Sequence, residues 1–264
     1  MLRIALLGVG GRMGRTLLEL AIDTPDLTVA GALTISGDPM AGADVSKLTG
    51  GAATGTKITD QIRDAMAGAD VAIDFTLAAA ADGNARAAAA AGCPLVVGTT
   101  GLDKKAHAAL DKASTSVPVV YAPNMSIGMN VLCRLAEVAA AALGNAYGAA
   151  INEIHHQHKI DRPSGSALRI AEAVARARGT DPAEVILDED SAAKGDAGRI
   201  VISSVREGEV IGTHRLCFAG DGERLTISHE VDDRKIFAAG ALAAARWIID
   251  QPPGRYSMTD VLGL

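Results

Sequence analysis

Short apolar runs that close on glycine, separated by stretches of helical periodicity, organise the first 125 residues. Residues 2–8, Leu-Arg-Ile-Ala-Leu-Leu-Gly, read as a buried parallel strand. A helix is predicted over 11–22, stopped before Pro25, and a second strand over 27–33. Residues 34–56 are rich in Gly, Thr, Ser and Asp and predict a long loop with poor regular structure. Further strands are predicted over 70–75, 94–97 and 117–121, with helices over 79–92 and 102–114 between them. Such alternation gives a parallel sheet covered by helices on both faces. Ligands of these sheets bind beyond the carboxyl ends of the strands. The turns at 8–14, 98–101 and 122–125 all fall there.

The pattern changes in the second half. A long helix is predicted over 126–143 and a strand over 148–155. The turn Pro163-Ser164-Gly165-Ser166 leads into a helix over 166–178, and 181–197 predicts a short helix and a loop. Three strand-like runs follow closely, at 199–206, 209–218 and 224–231, with Gly208 and Gly220-Asp221-Gly222 as turns. That spacing predicts an antiparallel or mixed sheet. A last helix, 234–250, ends before Pro252-Pro253 and is predicted to return to the first half.

Composition narrows the class. Hydrophobic residues make up 48% of 264, which excludes disorder, and aromatics only 3%, so the core is built from small side chains. A net charge of −6 without a basic block argues against a nucleic-acid partner. Cys93, Cys133 and Cys217 sit in apolar contexts, form no CxxC pair, and read as reduced core residues of a cytoplasmic protein. The first ten residues begin a strand instead of a signal peptide. We read no uninterrupted apolar run of the roughly 18–20 residues that a membrane span needs.

Gly8-Val9-Gly10-Gly11-Arg12-Met13-Gly14 follows the first strand and opens the first helix. Glycines there permit a tight turn and close approach of a pyrophosphate, and the helix N-terminus favours the anion. The expected cofactor is NADH or NADPH. A carboxylate normally follows the second strand to hold the ribose. Here Thr34 and Ile35 occupy those positions and Asp38 lies further along, which leaves the preference between the two dinucleotides open. The expected architecture is α/β. It comprises a Rossmann-like parallel-sheet domain of residues 1–125 plus 235–264, and a second α+β domain of residues 126–234 with a mixed or antiparallel sheet.

The second cluster is Glu153-Ile-His155-His156-Gln-His158-Lys159-Ile-Asp161-Arg-Pro-Ser-Gly165-Ser166. Metal binding, plain surface polarity, structural hydrogen bonding and catalysis all use imidazole. On a strand, 155 and 156 point to opposite faces, and no Cys or carboxylate pair stands at ligand spacing, so no metal is expected. Lys159 beside the imidazoles favours an anionic substrate with a proton donor. The chemistry implied is hydride addition to a C=N or C=C bond of a small carboxylate, with a proton going to the other end.

The chain closely resembles the dihydrodipicolinate reductase family over nearly its whole length. The resemblance rests on 8–14, Asp74-Phe75-Thr76, Gly98-Thr99-Thr100-Gly101, 122–128 and above all 153–167, with 204–208, 212–214, 222–224 and 234–240 also fitting. It implies reduction of a cyclic imine dicarboxylate in lysine biosynthesis through diaminopimelate. His155 would be the general acid and His156 would touch substrate. Lys159 would pair with one substrate carboxylate and assist the proton donor, while Gly165 and Ser166 would bind the other carboxylate. Gly8, Val9, Gly10, Gly11, Arg12, Met13, Thr34, Gly98, Thr99, Thr100, Ala122, Pro123, Asn124 and Met125 would line the dinucleotide. Thr34 and Ile35 replace the family's acid and arginine. Members are usually homotetramers built through the second domain's sheet. The competing readings are another two-domain amino-acid dehydrogenase, a dinucleotide sensor without turnover, and a zinc hydrolase.

Overall fold

A computed structural model describes residues 1–188 and 198–264. The loop expected up to residue 197 therefore lies, from 189 onward, outside the described residues. The first half runs β1 (Leu2–Leu7), α1 (Arg12–Ile22), β2 (Leu27–Leu33), α2 (Ser46–Thr49), β3 (Ile58–Thr59), α3 (Ile62–Met66) and β4 (Val71–Asp74). It continues with α4 (Ala81–Ala91), β5 (Leu95–Val97), α5 (Lys104–Ala113) and β6 (Pro118–Tyr121). The second half runs α6 (Ile127–Leu143), β7 (Gly148–His155), α7 (Gly165–Ala177), α8 (Pro182–Val185) and β8 (Ile186–Asp188). Then come β9 (Ile200–Arg206), β10 (Gly212–Ala219), β11 (Arg224–Val231), α9 (Lys235–Ile248), β12 (Gly254–Tyr256) and α10 (Met258–Leu262).

Two compact units result, one of Met1–Ile127 with Lys235–Gly263, the other of Gly128–Arg234 with Leu264. In the first, seven strands lie in the order β12-β6-β5-β4-β1-β2-β3, and every neighbouring pair is parallel. Strand β1 is buried on both faces. Ile4 and Leu6 join one core cluster with α1 and α9, and Ala5 and Leu7 join another that includes Leu110 of α5. That double burial is why the strand reads as one apolar run. The order reverses at β1, which has β2 on one side and β4 on the other, so a crevice opens at its carboxyl end.

Several elements depart from expectation. The supposed loop 34–56 contains α2, and the Asp44 carboxylate accepts from the backbone N–H groups of Ser46 (2.9 Å), Thr54 (3.2 Å) and Gly55 (2.8 Å). Those bonds hold the Asp44 carboxyl well below the ordinary carboxylate range. Elements β3, α3, β12 and α10 carry too few residues to display a period. Of the cysteines only Cys93 is fully buried, and burial pushes its thiol up to about 11; Cys133 and Cys217 are half-buried, so they are not the core residues expected.

The second unit's sheet is mixed, ordered β11-β10-β7-β9-β8, with β10 antiparallel to β11 and β7, and β7-β9-β8 parallel. Helices α6 and α7 cover one face, packing Met129, Leu132, Ile170 and Val174 on Ile151, Ile202, Leu216 and Phe218. The stretch Ile127–Ala146 is 20 residues with mean hydropathy 1.4, long and apolar enough by length and composition to cross a membrane, although Arg134 and Glu137 interrupt it. Its apolarity serves the core on one side only, since Leu135 and Val138 on the other are 47% and 54% exposed.

Helix α9 returns to the first unit, as its sequence predicts, and packs on β4, β5 and β6. It comes so close that a Cβ at Gly240 would lie 1.8 Å from the Met125 carbonyl oxygen. Gly240→Ala is therefore expected to lower stability by about 1–3 kcal/mol through overpacking, read as a reduced urea midpoint at unchanged m-value.

Candidate active site

The crevice beyond β1 is shaped by glycine. Gly8 turns the chain at φ +88°, and a Cβ at Gly14 would sit 2.1 Å from the Gly8 carbonyl oxygen. Helix α1 can thus seat its first turn directly on the turn after β1. Its N-cap is Gly11, with no capping side chain and no acid in the first turn, so its N–H groups are available to an anion. A cavity of about 450 Å³ opens here, lined by Gly8, Gly10, Thr34, Asp38 and Thr76 among others.

A buried carboxylate ties the neighbouring turns together. Asp74, at the end of β4, accepts from Thr76 (backbone N–H 2.8 Å, hydroxyl 2.7 Å), from the Asn84 side-chain amide at 2.8 Å and from the Thr99 hydroxyl at 3.0 Å. Gly98 leaves room for the Phe75 ring, which a Cβ would meet at 2.3 Å.

The second unit builds its polar cluster by strand register. Residues 149, 151, 153 and 155 of β7 share the helix-covered face. Across the ladder Glu153 pairs with Ser204 and His214, and His155 with Arg206. The face is therefore apolar at one end and polar at the other. The Oε1 atom of Glu153 accepts from the Ser164 backbone N–H at 2.9 Å and from Arg206 Nη2 at 3.1 Å. Its Oε2 lies 3.1 Å from His155 Nδ1, off the line of a good hydrogen bond, and 3.9 Å from His214 Nε2. Burial pushes the Glu153 carboxyl up, but the polar groups of His155, Ser164 and Ser204 outweigh it and hold the carboxyl below the ordinary range. The His155 and His214 rings meet edge to face with centroids 5.0 Å apart. On its other side, His155 Nε2 would lie 3.2 Å from a Cβ at Gly212.

Arg206 extends the cluster to the lysine. Its guanidinium also donates to the carbonyl oxygens of Lys159 (3.2 Å) and Asp161, bracing that loop. Lys159 Nζ donates to Asp161 Oδ1 at 2.7 Å. Ser164 caps α7, its hydroxyl accepting from the Ala167 N–H at 3.1 Å, and places Gly165 and Ser166 in the first turn.

The structure sorts the site residues named from sequence. Gly8, Val9, Gly10 and Gly11 form the turn after β1, and Arg12 and Met13 open α1; the Val9 side chain is fully buried in the core, so only its backbone faces the turn. Thr34 lines the cavity. The Thr99 hydroxyl is committed to Asp74, and the Met125 side chain lies in the core beside α9. Ala122 is buried, while Thr100 and Pro123 are exposed and Asn124 is half-buried. The histidines separate: His155 joins His214, whereas the His156 ring lies 6.2 Å from that of His158. Partial burial and the charge of Arg234 push the His156 imidazole down.

Glu153, Arg206 and His214 received no role from sequence. Glu153 had a visible signal, a polar residue in phase with buried ones and two before His155. Arg206 and His214 become visible only through strand pairing. Glu153, His155 and His214 also place ligand-type atoms within 4.8 Å of one another, a grouping that the sequence spacing did not suggest. Arg206, itself only 4% exposed at the side chain, already neutralises that carboxylate, and a dication there would meet its charge.

A parallel sheet with a glycine-lined crevice at its switch point, on one chain with a unit holding buried imidazoles and a paired ammonium, defines a two-unit nucleotide-dependent oxidoreductase. Comparison with known proteins specifies it further. The family model described as dihydrodipicolinate reductase, N-terminus, matches residues 2–125, and its C-terminal counterpart matches 128–262. The chain belongs to the dihydrodipicolinate reductase family. It is 44% identical over 266 residues to the 4-hydroxy-tetrahydrodipicolinate reductase of Anaeromyxobacter dehalogenans, covering 100% of this chain and 98% of that one. With the enzyme of the same name from Thiobacillus denitrificans it shares 45% over 264 residues, covering 99% and 98%. Among solved structures, a dipicolinate-bound dihydrodipicolinate reductase from Paenisporosarcina sp. TG-14 has the same fold, with TM-score 0.79, 20% identity and 98% of each chain covered.

Three outcomes follow from this geometry. Gly14→Val is expected to abolish dinucleotide binding in a titration, because the added carbons strike the Gly8 carbonyl. Arg206→Leu leaves the Glu153 charge buried and unpaired, and is expected to cost about 3–5 kcal/mol in denaturant unfolding. Burial, with His155 adding to it, pushes the His214 imidazole down to about 3. The unfolded chain binds that proton near pH 6.5, roughly the free-histidine value. This stability is whole above that pH and drains away as pH falls toward about 3. The urea midpoint is expected to fall between pH 7 and 4, and to fall less in His214→Gln.

Proposed function

We propose that the chain is a 4-hydroxy-tetrahydrodipicolinate reductase, reducing a cyclic imine dicarboxylate to tetrahydrodipicolinate with a reduced nicotinamide dinucleotide. The observation that carries this reading is the buried His155, set between Glu153 and Gly212, four residues before a lysine and ten before the first residue of a capped helix. The dinucleotide, when bound, supplies hydride to the conjugated system. His155 supplies the proton. Glu153 faces Nδ1 at 3.1 Å and orients the ring, which leaves Nε2 on the side of Gly212 as the donating atom. Lys159 exchanges Asp161 for one substrate carboxylate. Gly165 and Ser166, in the first turn of a 13-residue helix, take the other through backbone N–H groups and the Ser166 hydroxyl. His156 contacts the ring.

The remaining assignments belong to the same proposal. The turns of residues 8–13, 98–100 and 122–125 hold the dinucleotide, with Thr34 beside it. No metal takes part, because Arg206 supplies the positive charge that Glu153 needs. The protein acts in the cytoplasm as a homotetramer joined through the face of the second sheet opposite α6 and α7, where Asn152, Arg215 and Val205 are exposed.

The test is loss of nicotinamide absorbance with freshly prepared cyclic imine. His155→Ala is expected to lower turnover roughly 10²–10⁴-fold with circular dichroism unchanged. Lys159→Ala is expected to raise KM and lower kcat together. Near-normal turnover by His155→Ala would remove the acid assignment, and activity lost to a chelator would contradict the metal-free reading.

A further inference from the structure

We infer that Asp38 holds the adenosine ribose of the dinucleotide and thereby selects NADH over NADPH. The inference rests on the proposed dinucleotide site and assigns a determinant within it. Asp38 lies five residues beyond the end of β2, yet the chain folds back. Its backbone N–H donates to the Ile35 carbonyl at 3.2 Å, and Gly37 takes φ +78°. The Thr34 hydroxyl donates to Asp38 Oδ2, and the Met40 backbone N–H donates to Oδ1 at 2.9 Å. The carboxylate is thereby fixed against the glycine turn. A Cβ at Gly10 would lie 3.3 Å from Thr34 Oγ1 and 3.4 Å from Asp38 Oδ2. Asp38 therefore reaches the place left vacant by Thr34, where a ribose beside the pyrophosphate turn presents its hydroxyls.

The charge balance of the cavity agrees. Two of the roughly four acceptor sites of a carboxylate are used, leaving others for ribose hydroxyls. The Thr34 hydroxyl and the Met40 N–H hold the Asp38 carboxyl below the ordinary range, so it is anionic at neutral pH. A 2′-phosphate would meet that charge at close range. None of the lining residues described is cationic. Arg15 is near enough to act on Asp38, but its Nε donates to the Gly10 carbonyl at 3.3 Å. Ile35 and Leu77, 70% and 73% exposed, line the same cavity and offer apolar surface to an adenine ring.

The test is direct binding without imine substrate, by calorimetric titration of NADH and NADPH into the full chain. The unaltered protein is expected to bind NADH ~10-fold or more tightly than NADPH. Asp38→Asn keeps the shape and removes the charge, and is expected to bring the two affinities within about threefold, mainly by tighter NADPH binding. Ser36→Ala is expected to change neither. Equal or tighter NADPH binding by the unaltered protein, an unchanged ratio in Asp38→Asn, or NADPH affinity lost in Ser36→Ala would overturn the inference. Failure of both dinucleotides to bind would remove the cofactor site and this inference together. Preferential NADH binding without turnover of the imine would leave Asp38 standing and remove the proposed reaction alone.

Discussion

A carboxylate with no exposure to water is the constraint on which the second unit depends. Glu153 is fully buried, and an isolated charge there would be prohibitive. Everything around it answers that need. Arg206 neutralises it from the adjoining strand, Ser164 donates a backbone N–H from the turn before α7, and two imidazoles lie on its remaining side. Satisfying one side chain thus fixes a strand pair, a helix start and the orientation of the proposed acid. Because Arg206 also grips the carbonyls of Lys159 and Asp161, the same charge positions the lysine loop.

Asp74 does comparable work in the first unit. It is buried at the end of a central strand, and it joins Thr76, Asn84 and Thr99, which belong to three different segments. In both units a fully buried acid stands at or near the carboxyl end of a central strand. Each sheet therefore changes from packing to chemistry within one or two residues, and the turns beyond inherit the rigidity of the core.

Much of this was legible in the sequence, for identifiable reasons. Strand β1 is short, apolar and closed by glycine, and α1 follows it at once, so the strand, the turn and the helix could all be read. The motif 153–166 carried the proposed acid, the lysine and the helix cap in one continuous stretch. What escaped was whatever depends on distant pairing. His214 lies 59 positions after His155 in the numbering, and only the register of β10 on β7 brings them together. Elements such as β3 and β12, of two and three residues, exist because a neighbour's edge was open, and their own residues carry no period. Asp38 was visible but appeared too remote along the chain, since a loop that folds back on Thr34 leaves no periodic trace.

The Lys159–Asp161 pair has a further consequence. In the free protein the ammonium already has a counter-ion from its own chain, 2.7 Å away. A visiting anion must displace that internal partner, and a solute with a single weakly held charge gains little by doing so. If Lys159 is the anion site proposed above, chloride, acetate and simple monoacids would gain little by entering the loop. A rigid molecule whose two acid groups engaged the lysine and the start of α7 together would recover what the exchange costs. Under that proposal the aspartate would be a built-in competitor that screens visitors by their number of acid groups.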